Sequence, residues 1–304
     1  MQYDTPILFI FFCRKHIAIQ SFERIRQLRP SKLYLACDGP RCHINGETDV
    51  VAKTRQAIID SIDWNCQVMT LFQDTNLGCG MGVYTAINWF FENEEEGIIL
   101  EDDCIANPSF FPFAAELLNK YRNDDRVGMI AGTNQIAKWP ILYSYCFSKY
   151  AACWGWATWR RAWKNMDHNL SFFPTEKYNI LKNRGYLGKD TDRWEYQVGM
   201  IKKQRVSAWD WQWYFSLAAQ NQLCIFPKVN LISNIGNDAS AKHTAFSNVF
   251  IKSHEITFPL NHPKYVMPDY AFDRRFYKKE NSFLAVVKRR IPYSIKQFIK
   301  HHLH

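Results

Sequence analysis

Over its first 125 residues the chain alternates between two periodicities, and this alternation constrains the fold more than any other feature. Apolar runs at Thr5 to Phe12, Lys32 to Cys37, Cys66 to Phe72 and Gly97 to Leu100 read as strands, with Pro6 at the edge of the first. Ala18 to Leu28, Thr48 to Ile62 and Pro108 to Tyr121 have helical spacing, and Asp38-Gly39-Pro40 is a turn signal. Asn76-Leu77-Gly78-Cys79-Gly80-Met81-Gly82 reads as a glycine-rich loop ahead of a helix carrying Ile87, Phe90 and Phe91. Strands alternating with helices predict a parallel, doubly wound α/β sheet. At 304 residues the chain can bury a full core and need not be more than one large domain. After about Val127 the alternation fades into aromatic-rich segments, Ala152 to Trp163 and Trp209 to Phe215. Leu223 to Ile232 reads as a late strand pair around Pro227, and Asn234 to Asn248 as a flexible loop.

The fourth apolar run ends in Glu101-Asp102-Asp103. Three carboxylates at the carboxyl end of a buried strand repel one another and are desolvated; a hard divalent cation with oxygen ligands, Mn²⁺ or Mg²⁺, relieves both penalties. Ligands of open α/β sheets also sit beyond the carboxyl ends of their strands. A solvated turn would also accommodate two adjacent acids, but an apolar run feeding directly into three favours a metal that holds a substrate phosphate. The glycines 78, 80 and 82 match neither a Walker A nor a dinucleotide fingerprint, so they suit a tight turn as well as a ligand cradle.

Other residues are candidates for binding or proton transfer. Asp38 can accept hydrogen bonds from a base or ribose, or simply close an Asx turn with Gly39. Arg14, at the end of the first strand, can meet a phosphate or a uracil oxygen, or cap the edge. Asp210 lies within Trp209-Asp210-Trp211-Gln212-Trp213, where poor solvation raises carboxylate basicity and suits a general base; a helix N-cap is the plainer role. Asp192 and Glu195 are rivals for the base. Lys242 and His243 lie in the flexible loop, where they could close over a diphosphate, although a lone His is more often an ordinary surface or core residue.

Charge and cysteine usage narrow the class. Residues 274–304 hold nine Lys or Arg against Glu280, which is +8 of the formal +9. A nucleic-acid binder would spread its basic face over the folded domain, so no nucleic-acid partner is expected. The final segment places Ile291, Ile295, Phe298, Ile299 and Leu303 on one helical face, which suits an anionic membrane surface or a charged helix packed on the domain. Nine cysteines without any CxxC pair suggest reduced thiols in a cytoplasm. No secretory or membrane-spanning run is visible. Eleven Trp and fifteen Tyr exceed what packing requires, and their faces suit sugar rings and bases, though core and surface packing accounts for most.

Taken in order, these pieces resemble a known family. Ile98 to Phe111, with Glu101-Asp102-Asp103 at its centre, is similar to the metal-binding segment of GT-A fold glycosyltransferases, above all the inverting N-acetylglucosaminyltransferases of complex N-glycan synthesis and their bacterial relatives. Phe12-Cys13-Arg14 resembles the nucleotide-contacting end of the first strand, and Ala36-Cys37-Asp38 the uracil-binding acid. Trp154 to Trp159 resembles the Gly-Trp acceptor-side segment, and Trp209-Asp210 the element bearing the catalytic base. Pro227, Gly236 and Ser240 to His243 resemble the loop that orders over the sugar nucleotide. Trp211 stands where the family often has a second acid beside the base. The match runs from about residue 5 to 248.

The resemblance implies a GT-A-like (nucleotide-diphospho-sugar transferase) doubly wound mixed sheet flanked by helices. It implies a metal-requiring, inverting glycosyltransferase that moves a sugar from a UDP-sugar to a glycan or lipid-linked acceptor, as in surface polysaccharide synthesis. Asp103 would bind Mn²⁺ or Mg²⁺. Arg14, Asp38, Asn76, Gly78, Glu101, Asp102 and His243 would hold the sugar nucleotide, Gly155 and Trp156 would face the acceptor, and Asp210 would be the base. The expected organisation is a catalytic domain over 1–250, an extension packed on or near it over 251–283, and a basic amphipathic tail over 284–304, in a cytoplasmic protein peripheral on the inner face of the plasma membrane. Two other functions remain open at this point: a non-catalytic carbohydrate-binding protein using the Trp clusters, and a metal-dependent phosphohydrolase or nuclease using the three acids.

Overall fold

A computed structural model describes residues 3–136, 141–183, 189–204, 207, 209–236, 251–282, 286 and 291. In chain order the first half comprises β1 (Ile7–Phe11), α1 (Lys15–Leu28), β2 (Lys32–Cys37), α2 (Glu47–Asp60), β3 (Gln67–Phe72), α3 (Gly78–Asn93), β4 (Glu96–Glu101), β5 (Cys104–Ala106) and α4 (Phe110–Lys120). The second half comprises β6 (Val127–Ala131), β7 (Tyr145–Ser148), β8 (Trp156–Trp159), α5 (Arg160–Trp163), α6 (Phe173–Asn183), α7 (Lys189–Lys202), α8 (Asp210–Ala219), β9 (Leu223–Pro227), β10 (Ile232–Asn234) and α9 (Tyr270–Glu280).

Eight strands form one sheet in the order β3-β2-β1-β4-β8-β6-β9-β7. β3, β2, β1 and β4 run parallel, as do β6 and β9; β8 is wedged antiparallel between β4 and β6, and β7 runs antiparallel to β9 at the edge. This is the doubly wound mixed sheet flanked by helices that the sequence predicts. β5 and β10 form a separate antiparallel ribbon. The stretch read as a late strand pair around Pro227 is therefore corrected. β9 joins the large sheet, β10 leaves it to pair with β5, and the two do not pair with each other.

Alternating side chains send each central strand into two cores, which is why β1 is apolar at every position. Ile7, Phe9 and Phe11 meet α1, α2 and α4 on one face. Leu8 and Ile10 face the other core, which contains Phe90 of α3, Trp163 of α5, Trp209 and Trp213 at α8, and Phe272 and Phe276 of α9. A third cluster joins α6, α7 and α8 through Phe173, Trp194 and Phe215. α9 begins at a capped turn in which the Asp269 carboxylate accepts from the N–H groups of Ala271 and Phe272. The buried carboxylate of Asp273 then accepts from the Ser148 hydroxyl at 2.5 Å, fixing this late helix on the sheet edge.

Candidate active site

Strand order creates the crevice. From β1 the chain proceeds outward on one side through β2 and β3, then crosses to β4 on the other side. The two halves of the connection diverge beyond the carboxyl ends of β1 and β4, the usual place for a ligand in an open α/β sheet. Arg14 follows β1 and Glu101-Asp102-Asp103 closes β4, so the fold brings these four together. The Arg14 guanidinium donates to Asp102 Oδ1 at 2.5 Å and to Asp103 Oδ2 at 3.2 Å. Asp102 is 6 % exposed, and burial pushes its carboxyl up to about 6 despite the opposing Arg14 charge. Burial first, then the negative charges of Asp103, Asp102 and Asp210, hold Glu101 well above the ordinary carboxylate range.

The β5–β10 ribbon clamps the last acid. Asn234 Nδ2 donates to Asp103 Oδ1 at 3.0 Å, and the Ile235 N–H donates to the Asp103 carbonyl at 2.9 Å. The Gly236 N–H returns to Asn234 Oδ1 at 2.9 Å. A Cβ at Gly236 would lie 2.3 Å from Asp103 Oδ2, so only glycine allows this approach. The sequence singled out Gly236 but missed Asn234; an Asn two residues before a Gly, at the end of a short β-rich run, was the available signal. Ser240 to His243, expected to order over the sugar nucleotide with Lys242 and His243 closing over the diphosphate, lie outside the described residues, as does most of the basic amphipathic tail.

The donors at this end are carboxylate oxygens, as a hard cation requires. Among the described residues no three His, Cys, Asp or Glu side chains are arranged to enclose a metal. A cation shared with a substrate diphosphate needs only one or two carboxylates, and Asp103 with Asp102 fits that smaller demand.

Asp38, Asn76 and Gly78 occupy a neighbouring position in a different role. Asp38 Oδ1 accepts from the N–H groups of Gly39 and Leu77, while Oδ2 accepts from the Gly78 N–H and Asn76 Nδ2, all within 2.8–2.9 Å. Those four bonds use the four acceptor sites of a carboxylate. Asn76 Nδ2 also donates to the Gly39 carbonyl at 2.8 Å. The acid expected to read uracil is thus committed to capping α3, and base recognition there would require exchanging one of these bonds. The glycine-rich segment is correspondingly not a free loop. Gly78 starts α3 at φ 80°, the Gly80 N–H donates to Ser207 Oγ at 2.8 Å, and Gly82 packs beside the Asp38 carboxylate.

Asp210 opens α8, with Trp209 as the residue before it. Burial pushes its carboxyl up to about 6 against the N–H groups of the helix start. Its negative charge is felt at Glu101, so the two carboxylates are near neighbours at this end of the sheet. Trp156 is fully buried and stacks on Trp209 with ring centroids 5.6 Å apart. Gly155, at φ 57°, is sealed by Ile232 and Leu100. Both are buried, so the two residues expected on the acceptor side lie beneath the surface, where Trp156 supports Trp209 and hence the start of α8. Of the rival bases, Glu195 is exposed and ion-paired with Lys177 at 2.9 Å, and Asp192 is exposed on the same helix.

Beside Asp210 lies a cleft of about 180 Å³ that the sequence did not reveal, lined by Tyr150, Trp154, Arg193, Trp211, Tyr214 and Glu280 among others. It draws on five segments separated in sequence, and only the aromatic richness of 152–163 and 209–215 hinted at it.

No protein-family model matches the sequence, and no curated protein matches it. Among solved structures, the chain overlaps a Pyrobaculum calidifontis mannosyltransferase in complex with GDP-Man and Mn²⁺ at 12 % identity and a TM-score of 0.34, over 52 % of this chain and 45 % of that one. It overlaps a Leptospira borgpetersenii cytidylyltransferase at 11 % identity and 0.34, over 60 % and 74 % of the two chains. A UDP-glucose pyrophosphorylase complexed with UDP-glucose overlaps at 13 % identity and 0.29, over 49 % and 64 %. This chain therefore spans less than half the length of the mannosyltransferase, and overlaps this partial leave its chemistry to be argued from its own residues. Among the described residues no helix is long and apolar enough to cross a membrane.

Proposed function

We propose that this protein is a divalent-metal-dependent glycosyltransferase that moves a sugar from a UDP-sugar to a hydroxyl of a glycan or lipid-linked acceptor, with inversion by single displacement. The observation that supports it most is the pairing of two unlike acidic centres at one end of the sheet. Three carboxylates and Arg14 sit at the switch point of the sheet, and a separate, poorly solvated carboxylate, Asp210, is their near neighbour at the start of α8.

Each centre has a task. Asp210 accepts the proton of the acceptor hydroxyl as its oxygen bonds to the anomeric carbon. The bond from that carbon to the diphosphate breaks, and the diphosphate leaves with the electron pair. Mn²⁺ or Mg²⁺, held through Asp103 with Asp102, would supply neutralisation of the charge that develops on the leaving group. Arg14 holds Asp102 and Asp103 in place and offers a guanidinium to the phosphates. Glu101 would meet the sugar side of the donor. Asp38 and Asn76 act by fixing the start of α3, and His243 completes the nucleotide site in the same proposal. Residues 1–250 would form the catalytic domain, 251–283 its extension and 284–304 a tail at the inner membrane surface.

The test is calorimetry with UDP, with and without Mn²⁺, followed by a screen of UDP-sugars for hydrolysis. Metal-dependent UDP binding that Asp103→Ala abolishes, with the fold intact, is the expected result. Absence of UDP binding in either condition, together with no hydrolysis of any UDP-sugar, would sink the proposal. A two-metal phosphohydrolase is the lesser reading: it would need acids or histidines arranged for a second metal, and among the described residues no three such side chains are grouped to hold one.

A further inference from the structure

The cleft beside Asp210 has three properties that together define what it accepts. Its walls are aromatic: Trp154 and Trp211 line it, and Tyr150 is held in place by stacking on Phe276 at 4.6 Å between ring centroids. Aromatic faces of this kind suit the C–H faces of a sugar ring. Its charge is nearly balanced. Arg193 lies over the Trp211 ring at 4.9 Å, pairs with Glu280 at 2.5 Å and also acts on Asp210, so two carboxylates against one guanidinium leave the lining with one net negative charge. A second anion brought into the cleft would be repelled by Asp210, whereas a neutral ring would not.

The third property is an unmet hydrogen bond. Thr133, just beyond β6, lines the cleft and is 1 % exposed, yet its hydroxyl meets no partner among the described residues. A buried hydroxyl left without a partner is destabilising, so such groups are uncommon in a native interior. A ligand hydroxyl would satisfy it. Size agrees: a cavity of about 150 Å³ takes up a benzene, so the observed space of about 180 Å³ admits one six-membered ring.

We infer that this cleft is a subsite for one uncharged pyranose ring of the acceptor, bound between Trp154 and Trp211, hydrogen-bonded by Thr133, with a hydroxyl presented to Asp210. The inference rests on the proposed transferase activity for its direction but not for its detection. α9 contributes the far wall through Phe276 and Glu280, so the late helix takes part in acceptor selection, and Gly155 and Trp156 do not.

The experiment is ligand-observed saturation-transfer NMR on the full chain without nucleotide or metal, using the methyl glycosides of glucose, galactose, mannose and N-acetylglucosamine, with methyl glucuronide as the charged comparison. At least one neutral glycoside is expected to bind. Trp154→Ala should remove that signal, Thr133→Val should weaken it about threefold to tenfold, and Thr133→Ser should restore it. Methyl glucuronide should give no signal. Binding in Asp103→Ala should match the wild type, which separates the cleft from the nucleotide site: a protein that binds glycosides here but never binds UDP would refute the transferase proposal and leave the subsite standing. The inference is overturned if no neutral glycoside binds, if binding ignores both Trp154→Ala and Thr133→Val, or if methyl glucuronide binds as well as the neutral rings.

Discussion

Asp210→Asn should make the protein more stable and far less active, and the stability gain should depend on pH. Burial raises the Asp210 carboxyl from 3.8 to about 6 in the folded chain. Between those values the folded state holds more protons than the unfolded state, so stability falls as pH rises through that window and the full loss is present above it. At 1.36 kcal/mol per pKa unit the rise corresponds to a ceiling of ~3 kcal/mol at neutral pH. Asparagine carries no charge to desolvate and escapes that loss. For a chain longer than 200 residues, where 1 kcal/mol is worth about 2 °C, the variant should melt up to ~6 °C above the wild type at pH 7.5. The difference should shrink steadily toward pH 4.5. In the same samples, loss of a general base should lower transfer by about a hundredfold or more, while UDP binding stays near the wild-type level. Wild-type turnover should rise with pH through about 6, as the base loses its proton. Equal melting temperatures at both pH values, with unchanged turnover, would refute both the desolvation of Asp210 and its role as base.

Further expectations concern the neighbouring groups. Arg14→Met leaves the buried Asp102 without its counter-ion and should destabilise the fold by about 3 kcal/mol at pH 8, less toward pH 5 as Asp102 takes up a proton; thermal melts across pH check this. Gly236→Ala should displace the Asp103 carboxylate and weaken Mn²⁺-dependent UDP binding while far-UV circular dichroism stays unchanged, both measurable on one preparation. Thr133→Val removes an unpartnered buried hydroxyl and should raise stability by about 1 kcal/mol in chemical denaturation, even as it weakens glycoside binding. A loss of stability in that variant would show that the hydroxyl serves the fold.

Local periodicity carried the sequence a long way where neighbours in the chain decide the structure. β2 is found over the span its apolar run indicates, and β1, β3 and β4 lie within a residue or two of theirs. The same holds for the acid cluster, because an apolar run that ends in three carboxylates can hardly end elsewhere than at a strand terminus. What stayed hidden depends on partners distant in sequence. β8 is a strand because it fits antiparallel between β4 and β6, and its Trp-Ala-Thr-Trp segment has no pattern that says so. Asp38 looks like a ligand-binding acid until the start of α3, some forty residues later, is seen to occupy its oxygens. Trp156 looks like a sugar platform until Trp209 is found lying on it. Asp210 was legible as a helix-initiating acid among aromatics, whereas the cleft beside it requires 133, 150–154, 193 and 280 to converge, a property of topology alone.

The position of α9 also has a bearing on biosynthesis. A ribosome delivers the strands, the acid cluster and α8 well before it delivers Phe272, Asp273 and Phe276. Until those residues emerge, the Ser148 hydroxyl lacks its carboxylate and the rings of Phe226 and Tyr150 lack their cover. Those rings stay uncovered between the synthesis of β9 and that of α9, and the pocket gains the wall formed by Phe276 and Glu280 only when α9 docks.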